Sequence, residues 1–254
     1  MVDLKDNTIS ELLSEATLNP KEGLVQQIYV ILMDHIVNIR LKPGQAMSEK
    51  EISDSLKASK TPVREALIKL EDTGLVRIVP KSGTYVSPIS IERYIEACFT
   101  RTQLEIGAVR RAAERSNNLR SVLNLESIIS KQVQALEAGE GQLFFQEDQA
   151  LHKAFFTMAG IPGIWELVKK TQADVNRIRH LKRLYNIRRE AQVIDEHKAI
   201  VAAIRSGSPD DAETALIQHI GSLETEIDTL SSHPELLDYI ETLNASGKRR
   251  KQAR

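Results

Sequence analysis

The sequence predicts a mostly α-helical chain: a winged helix-turn-helix of three helices plus a β-hairpin wing, then an all-α antiparallel bundle of six or seven helices. Three observations carry that expectation. Apolar residues recur at helical spacing along most of the chain. One β-prone hairpin directly follows the third helix. Beyond Pro88 glycine and proline become sparse and strand-like alternation stops.

The first twenty or so residues, ending at Asn19–Pro20, read as a loosely ordered extension. From Leu24 to Ile39, Val25, Ile28, Ile31, Leu32, His35, Ile36 and Ile39 make the inner stripe of a first helix, which Pro43–Gly44 stops with a turn. Ser48 followed three residues later by Glu51 is a capping-box pattern that starts a second helix, with Ile52 and Leu56 inward. Ser59-Lys60-Thr61-Pro62 opens a third. Pro62 suits a first turn, where the donor it lacks would have had no partner. Val63, Ala66, Leu67 and Leu70 face the core, and Gly74 ends the helix. Leu75–Val79 and Thr84–Val86, joined by Pro80-Lys81-Ser82-Gly83, make the hairpin. Helical stripes then follow one another, broken at 116–118, 139–141, 160–163 and 206–209. Short connections imply a bundle, and no solenoid-type repeat occurs. The expected divisions are 1–22, a flexible N-terminal extension; 23–88, the winged helix-turn-helix; 89–231, the helical domain; and 232–254, a C-terminal helix and basic tail.

Composition narrows the function classes. With 254 residues the chain is long enough for two cores, and 41% apolar with 27% charged residues is ordinary for a globular protein. No apolar run approaches the roughly 20 residues that span a bilayer. The acidic N-terminus lacks a signal peptide's layout, and Cys98 alone leaves no internal disulfide. A cytoplasmic location is therefore expected, with no membrane partner. The net charge of −1 argues against indiscriminate coating of nucleic acid, but local charge matters more. Between Lys57 and Lys81 six basic residues stand against three acidic ones, a modest local excess. The end KRRKQAR reads as a solvated tail.

Residues 43–86 carry a specific resemblance. Ser59-Lys60-Thr61-Pro62-Val63-Arg64-Glu65-Ala66-Leu67, then Leu70-Glu71 and Gly74-Leu75-Val76, resemble the DNA-binding domain of the GntR family of bacterial regulators. Lys60 departs from the family's usual arginine, keeping the charge without the bidentate fork that reads guanine. A recognition helix presents its first turn to the major groove, which would place Ser59, Lys60, Thr61 and Arg64 near bases or phosphates. Lys50 would reach the backbone, and Lys81, Ser82 and Gly83 at the wing tip a neighbouring minor groove. The alternative for Lys60 and Arg64 is a pair of solvated helix charges. Glu65 is expected to orient Arg64 or to pair with a neighbour.

In the second half, Asp148 and His152 lie four apart, so one helix face presents both to the same point. Leu143, Phe144, Leu151, Phe155 and Phe156 place that pair toward a core, where buried polar groups need partners or a metal. Arg101-Thr102-Gln103-Leu104-Glu105, Asp148-x-x-x-His152, Glu196-His197 and His219 are similar to the FCD effector domain of the FadR-type branch of the same family. One Asp and three His would suit zinc first, with nickel or manganese as alternatives. The bland alternative is a set of hydrogen-bonded core histidines. For Arg101 the choice lies between a salt bridge to an acid at the core edge and a role in an effector pocket, where the resemblance implies pairing with a small organic acid. The family's usual asparagine is replaced by Ile161, so helix capping near the metal helix is expected to differ. His35, His180, His233, Trp165 and the basic segment 177–189 read as structural or surface groups.

The leading expectation is a homodimeric repressor of pseudo-palindromic double-stranded operator DNA, whose operator affinity is modulated by a small carboxylate bound at a metal site, with no catalytic residues. Two other readings compete: a metal-dependent hydrolase built on the same four ligands, and a metal-free helical dimerisation scaffold behind a DNA-binding head.

Overall fold

The computed structural model describes residues 7–185, 190–221 and 223–252. Among them are thirteen helices and one two-stranded antiparallel sheet, and no helix is long and apolar enough to cross a membrane. The first six residues of the expected extension, positions 186–189 of the basic segment and the last two residues of the tail lie outside the described residues.

The chain forms two compact units, each assembled from separate segments. The first draws on 1–94, 170–187 and 230–254. Its centre is α2 (Leu24–Val37), whose Ile28, Leu32 and Ile36 are wholly buried at helical spacing. A turn at Pro43–Gly44, with Gly44 at φ 75°, leads to α3 (Glu49–Leu56). Ser48 caps α3 by accepting from the Glu51 amide. The reciprocal half of that expected box is absent: the Glu51 carboxylate instead accepts from the amide and hydroxyl of Ser10, both at 3.4 Å. Ser10 belongs to α1 (Ile9–Leu13), a helix inside the stretch expected to be a loose extension. Ile9 and Leu13 are buried there, and Thr8 and Glu11 close a capping box. That part of the extension is thus an ordered element, one too short to show helical periodicity in sequence.

The recognition-type helix α4 (Lys60–Asp72) has Pro62 in its first turn and buries Val63, Ala66, Leu67 and Leu70. Gly74, at φ 74°, takes the left-handed position that ends it, and the Leu75 amide returns to the Leu70 carbonyl. Strands β1 (Val76–Val79) and β2 (Gly83–Val86) pair in the register Val76↔Val86 to Val79↔Gly83. Residues 44–47 run along β2, with Met47 donating to the Thr84 carbonyl and Val86 to the Gln45 carbonyl. Two later helices complete this unit: α9 (Ala173–Leu184), packed on α2, and α13 (Pro234–Gln252).

The second unit takes in 95–169 and 188–229, and so most of α5 (Ile91–Ala113), then α6 (Leu119–Glu137), α7 (Gly141–Met158), α8 (Ile164–Thr171), α10 (Glu190–Ser206), α11 (Pro209–Ile220) and α12 (Leu223–Ser231). Its core joins Ala108, Leu125, Leu151, Phe155, Phe156, Trp165, Ile200 and Leu216. The four breaks expected from sequence all fall between helices. Between 91 and 231 the described residues form eight helices where six or seven were expected, because Gln172 and Gly221 each interrupt a stripe without a breaker cluster.

Candidate functional site

All eight residues expected to meet DNA are exposed on the first unit. Ser59 is the N-cap of α4 and Lys60, Thr61 and Arg64 lie in its first turns, while Lys50 sits in the first turn of α3. Arg64 ties the two helix starts together. Its Nε donates to Glu49 Oε1 at 3.0 Å and its Nη2 to Glu49 Oε2 at 2.9 Å. That fork holds the Glu49 carboxyl below its usual range. Arg64 is thus oriented by Glu49, a residue of another helix, and not by the adjacent Glu65. Lys50 pairs with Asp54 at 3.2 Å. At the wing tip Lys81, with φ 61°, and Gly83, with φ 128°, shape the turn, and the Ser82 and Tyr85 hydroxyls bond at 2.9 Å. The Glu71 carboxylate of α4 accepts from the Ile78 amide at 2.7 Å, fixing the wing's base to the recognition-type helix.

In the second unit Asp148 and His152 on α7, His197 on α10 and His219 on α11 come together, all buried. One donor atom from each lies within 4.8 Å of all the others. His219 Nε2 stands 3.2 Å from both His197 Nε2 and His152 Nε2. Asp148 Oδ1 is 3.6 Å from His197 Nε2 and 3.9 Å from His152 Nε2. The opposite ring edges are all engaged. His152 Nδ1 meets Glu105 Oε2 at 2.5 Å, His197 Nδ1 meets Gln132 Oε1 at 2.8 Å, and His219 Nδ1 meets Glu196 Oε2 at 2.9 Å.

Those oxygens are acceptors, so each imidazole donates through Nδ1 and turns an unprotonated Nε2 inward. Three lone pairs about 3 Å apart, with a carboxylate beside them, repel unless a cation lies between; bound nitrogens about 2.0–2.1 Å from zinc stand at such spacings. Burial, with His197 and His152 beside it, pushes the His219 imidazole down to about 3 against the raising effect of Glu196. It is therefore neutral at pH 7, the form a metal requires. The donor set fits a divalent ion.

Arg101 lies next to this cluster on α5, only 2% exposed. Its Nε donates to Glu105 Oε1 at 2.7 Å, whereas its Nη2 has no hydrogen-bond partner. The salt bridge considered from sequence thus exists, and one end of the same guanidinium remains open. Burial would raise the Glu105 carboxyl, but Arg101 and His152 together bring it down to about 2. Glu105 and Glu196 stood inside motifs quoted for other residues, and Gln132 carried no signal at all; their contacts span 47, 23 and 65 positions.

The C-terminus of α7 is closed without asparagine at position 161. The Ile161 amide reaches back to the Phe156 carbonyl, Gly160 takes φ 77°, and Arg111 Nε donates to the Ala159 carbonyl at 2.7 Å. Phe99, two residues before Arg101 on the same helix, is 53% exposed. Trp165 packs on Phe156 as expected. His35 and His180 belong to the first unit. The basic segment corrects one expectation: Arg177 is fully buried, donating to the Ser87 carbonyl at 2.6 Å and to Asp174 at 2.5 Å.

Comparisons with known proteins match two successive stretches of the chain. Residues 24–86 match the bacterial regulatory proteins of the gntR family, and residues 96–222 match the FCD domain. The HTH-type transcriptional repressor RspR of Escherichia coli K12 is 32% identical over 213 residues, covering 84% of this chain and 92% of the relative. The HTH-type transcriptional regulator LutR of Bacillus subtilis 168 is 27% identical over 225 residues, covering 79% and 98%. Among solved structures, E. coli McbR/YncC superposes with a TM-score of 0.68 at 22% identity, over 84% of this chain and 99% of the other, a likeness of fold. A winged helix with its first turn exposed, an FCD-type donor cluster and these relatives together place the chain: it belongs to the FadR-type branch of the GntR family, as a DNA-binding transcriptional regulator and not an enzyme.

Proposed function

We propose that the chain is a homodimeric repressor of a pseudo-palindromic operator, whose DNA affinity responds to a small carboxylate bound beside a divalent ion in the helical unit. In this reading Arg64 reads the major groove, Lys60, Ser59, Thr61 and Lys50 hold phosphates, and Lys81, Ser82 and Gly83 enter the minor groove. Asp148, His152, His197 and His219 would hold the ion, zinc before nickel or manganese. Such an ion supplies a positive charge for one carboxylate oxygen. Arg101 takes another through Nη2, the open end of a guanidinium whose Nε is already committed. Dimerisation follows from the weakness of a single half-site contact, which two linked heads overcome by effective concentration. RspR, similar over most of its length, is named a repressor, and that name supports the sign chosen here.

One observation carries the reading: three inward Nε2 atoms whose Nδ1 partners are all oxygens, beside the unpartnered Arg101 Nη2. Elemental analysis of protein purified without chelator tests it. About one divalent ion per chain is expected, and it should be lost when Asp148 and His152 are both replaced by alanine. A metal content unaffected by that double replacement overturns the assignment, and a metal-free wild type returns the helical unit to a dimerisation scaffold.

A further inference from the structure

Glu105 touches both halves of this site. Its side chain is wholly buried, and its two oxygens are divided: Oε1 accepts from Arg101 Nε and Oε2 from His152 Nδ1. On the far side of His152, Nε2 faces the cluster, 3.2 Å from His219 Nε2. On the far side of Arg101, Nη2 is buried and unpartnered. A continuous polar line thus runs from the open guanidinium end, through one carboxylate, to the imidazole cluster. Arg101 and Glu105 lie four apart on α5, so a single helix face sets both ends of the line.

We propose that Glu105 is a positioning residue that aims His152 at a cation and Arg101 at a carboxylate anion, and thereby makes the two ions bind cooperatively. The inference rests on the metal-and-carboxylate reading above and adds to it a residue and a coupling.

The charges inside the site explain why a carboxylate is needed at this position. Among the groups here less than a tenth exposed, one positive charge, Arg101, stands against two carboxylates, Glu105 and Asp148. The three imidazoles each turn Nδ1 to an oxygen, and Glu196 reaches solvent. A divalent cation reverses the sign of that buried set, and one singly charged anion returns it to neutral. Each ion's entry therefore lowers the cost of burying the other. An amide at 105 still accepts from His152 Nδ1 but leaves the guanidinium uncompensated. The site is then too positive for the cation and more attractive to the anion alone. Opposite shifts for the two ions are the mark of this role. Loss of packing would weaken both.

The test uses the full chain, freed of metal by chelator and dialysis. Zinc is titrated against a chromophoric competitor, with and without acetate as the smallest carboxylate probe, and acetate is titrated into the metal-free protein. In wild type, acetate should raise zinc affinity at least about fivefold. Glu105→Gln should lower zinc affinity about 10- to 100-fold and tighten acetate binding to the metal-free protein. The double variant Arg101→Met with Glu105→Gln removes the buried pair together and leaves no uncompensated guanidinium, so it keeps the test open if the single variant does not fold. It should recover part of the zinc affinity and lose the tighter acetate binding of the single variant. Zinc affinity within threefold of wild type in Glu105→Gln, or no acetate effect on wild type, overturns the coupling alone. A wild type that takes up no zinc overturns the metal reading and this inference with it.

Discussion

In the free chain the Arg64 guanidinium closes a two-point fork on Glu49, yet its side chain stays 64% exposed. An exposed ion pair contributes little, because water and salt screen it and two long side chains must be ordered. A guanine edge offers the same fork geometry in a drier groove, so the guanidinium is available to DNA at small cost. Glu49 meanwhile keeps the fork pre-oriented at the start of α4. Replacing Arg64 by alanine should weaken binding to the cognate operator about 10- to 100-fold at fixed salt, with a smaller loss on unrelated duplex. Fluorescence anisotropy with both duplexes measures this. Equal operator affinity for variant and wild type would remove Arg64 from the interface. Lys60 follows a different rule: an ammonium contributes charge without a fork, so its removal should flatten the salt dependence more than the sequence preference.

Among elements, α7 carries two of the four donors, and its C-terminus fixes how it is rotated. Gly160 sits at φ 77° with Arg115 Nη1 only 2.1 Å from where a Cβ would stand, and Arg111 holds the Ala159 carbonyl. Gly160→Ala therefore strains the backbone by about 1–2 kcal/mol and displaces the Arg115 guanidinium. The melting temperature of the metal-free protein should fall by about 2–4 °C per kcal/mol lost, and an unchanged midpoint by calorimetry would contradict this. The stripes, the caps at Ser48 and Gly74 and the breaks near 117, 140, 161 and 207 were legible in sequence because each is encoded within a few residues. So was the Asp148–His152 pair, being one turn apart. The Nδ1 partners of the histidines were not, because no local pattern says which of many acids meets which ring across dozens of positions. Arg177 was misread for a related reason. Its neighbourhood, RIRHLKRL, has the charge density of a surface, and only the approach of the Ser87 and Pro88 carbonyls and Asp174 makes burial tolerable. Helix α1 escaped because five residues are too few to display a period.

At the scale of the whole molecule, the DNA-binding unit is not a contiguous piece of chain, and its stability depends on segments far from the winged helix in sequence. The junction after β2 is held from three directions. Arg177 donates to the Ser87 and Pro88 carbonyls, Arg93 bonds Pro88 O and Asp174, and Asn244 bonds both the amide and the carbonyl of Ile89. Val175, Ile178 and Leu181 of α9 and Leu236, Ile240 and Leu243 of α13 are buried in the folded chain. Each such side chain taken fully out of water contributes about 1.5–3 kcal/mol, and a whole domain commonly nets only about 5–15 kcal/mol. A fragment ending at residue 88 keeps the winged-helix core but loses α9, α13 and every clasp on the junction. Its α2 amides should therefore exchange hydrogen much faster than in the full chain, and its denaturant midpoint should be lower. The loss should also appear in an otherwise intact chain carrying Asp174→Ala, which leaves Arg177 buried beside carbonyl oxygens but without its carboxylate, at a cost of about 3–5 kcal/mol. If the 1–88 fragment protects α2 as well as the full chain does, the winged helix is self-sufficient, and α9 and α13 rest on it without supporting it.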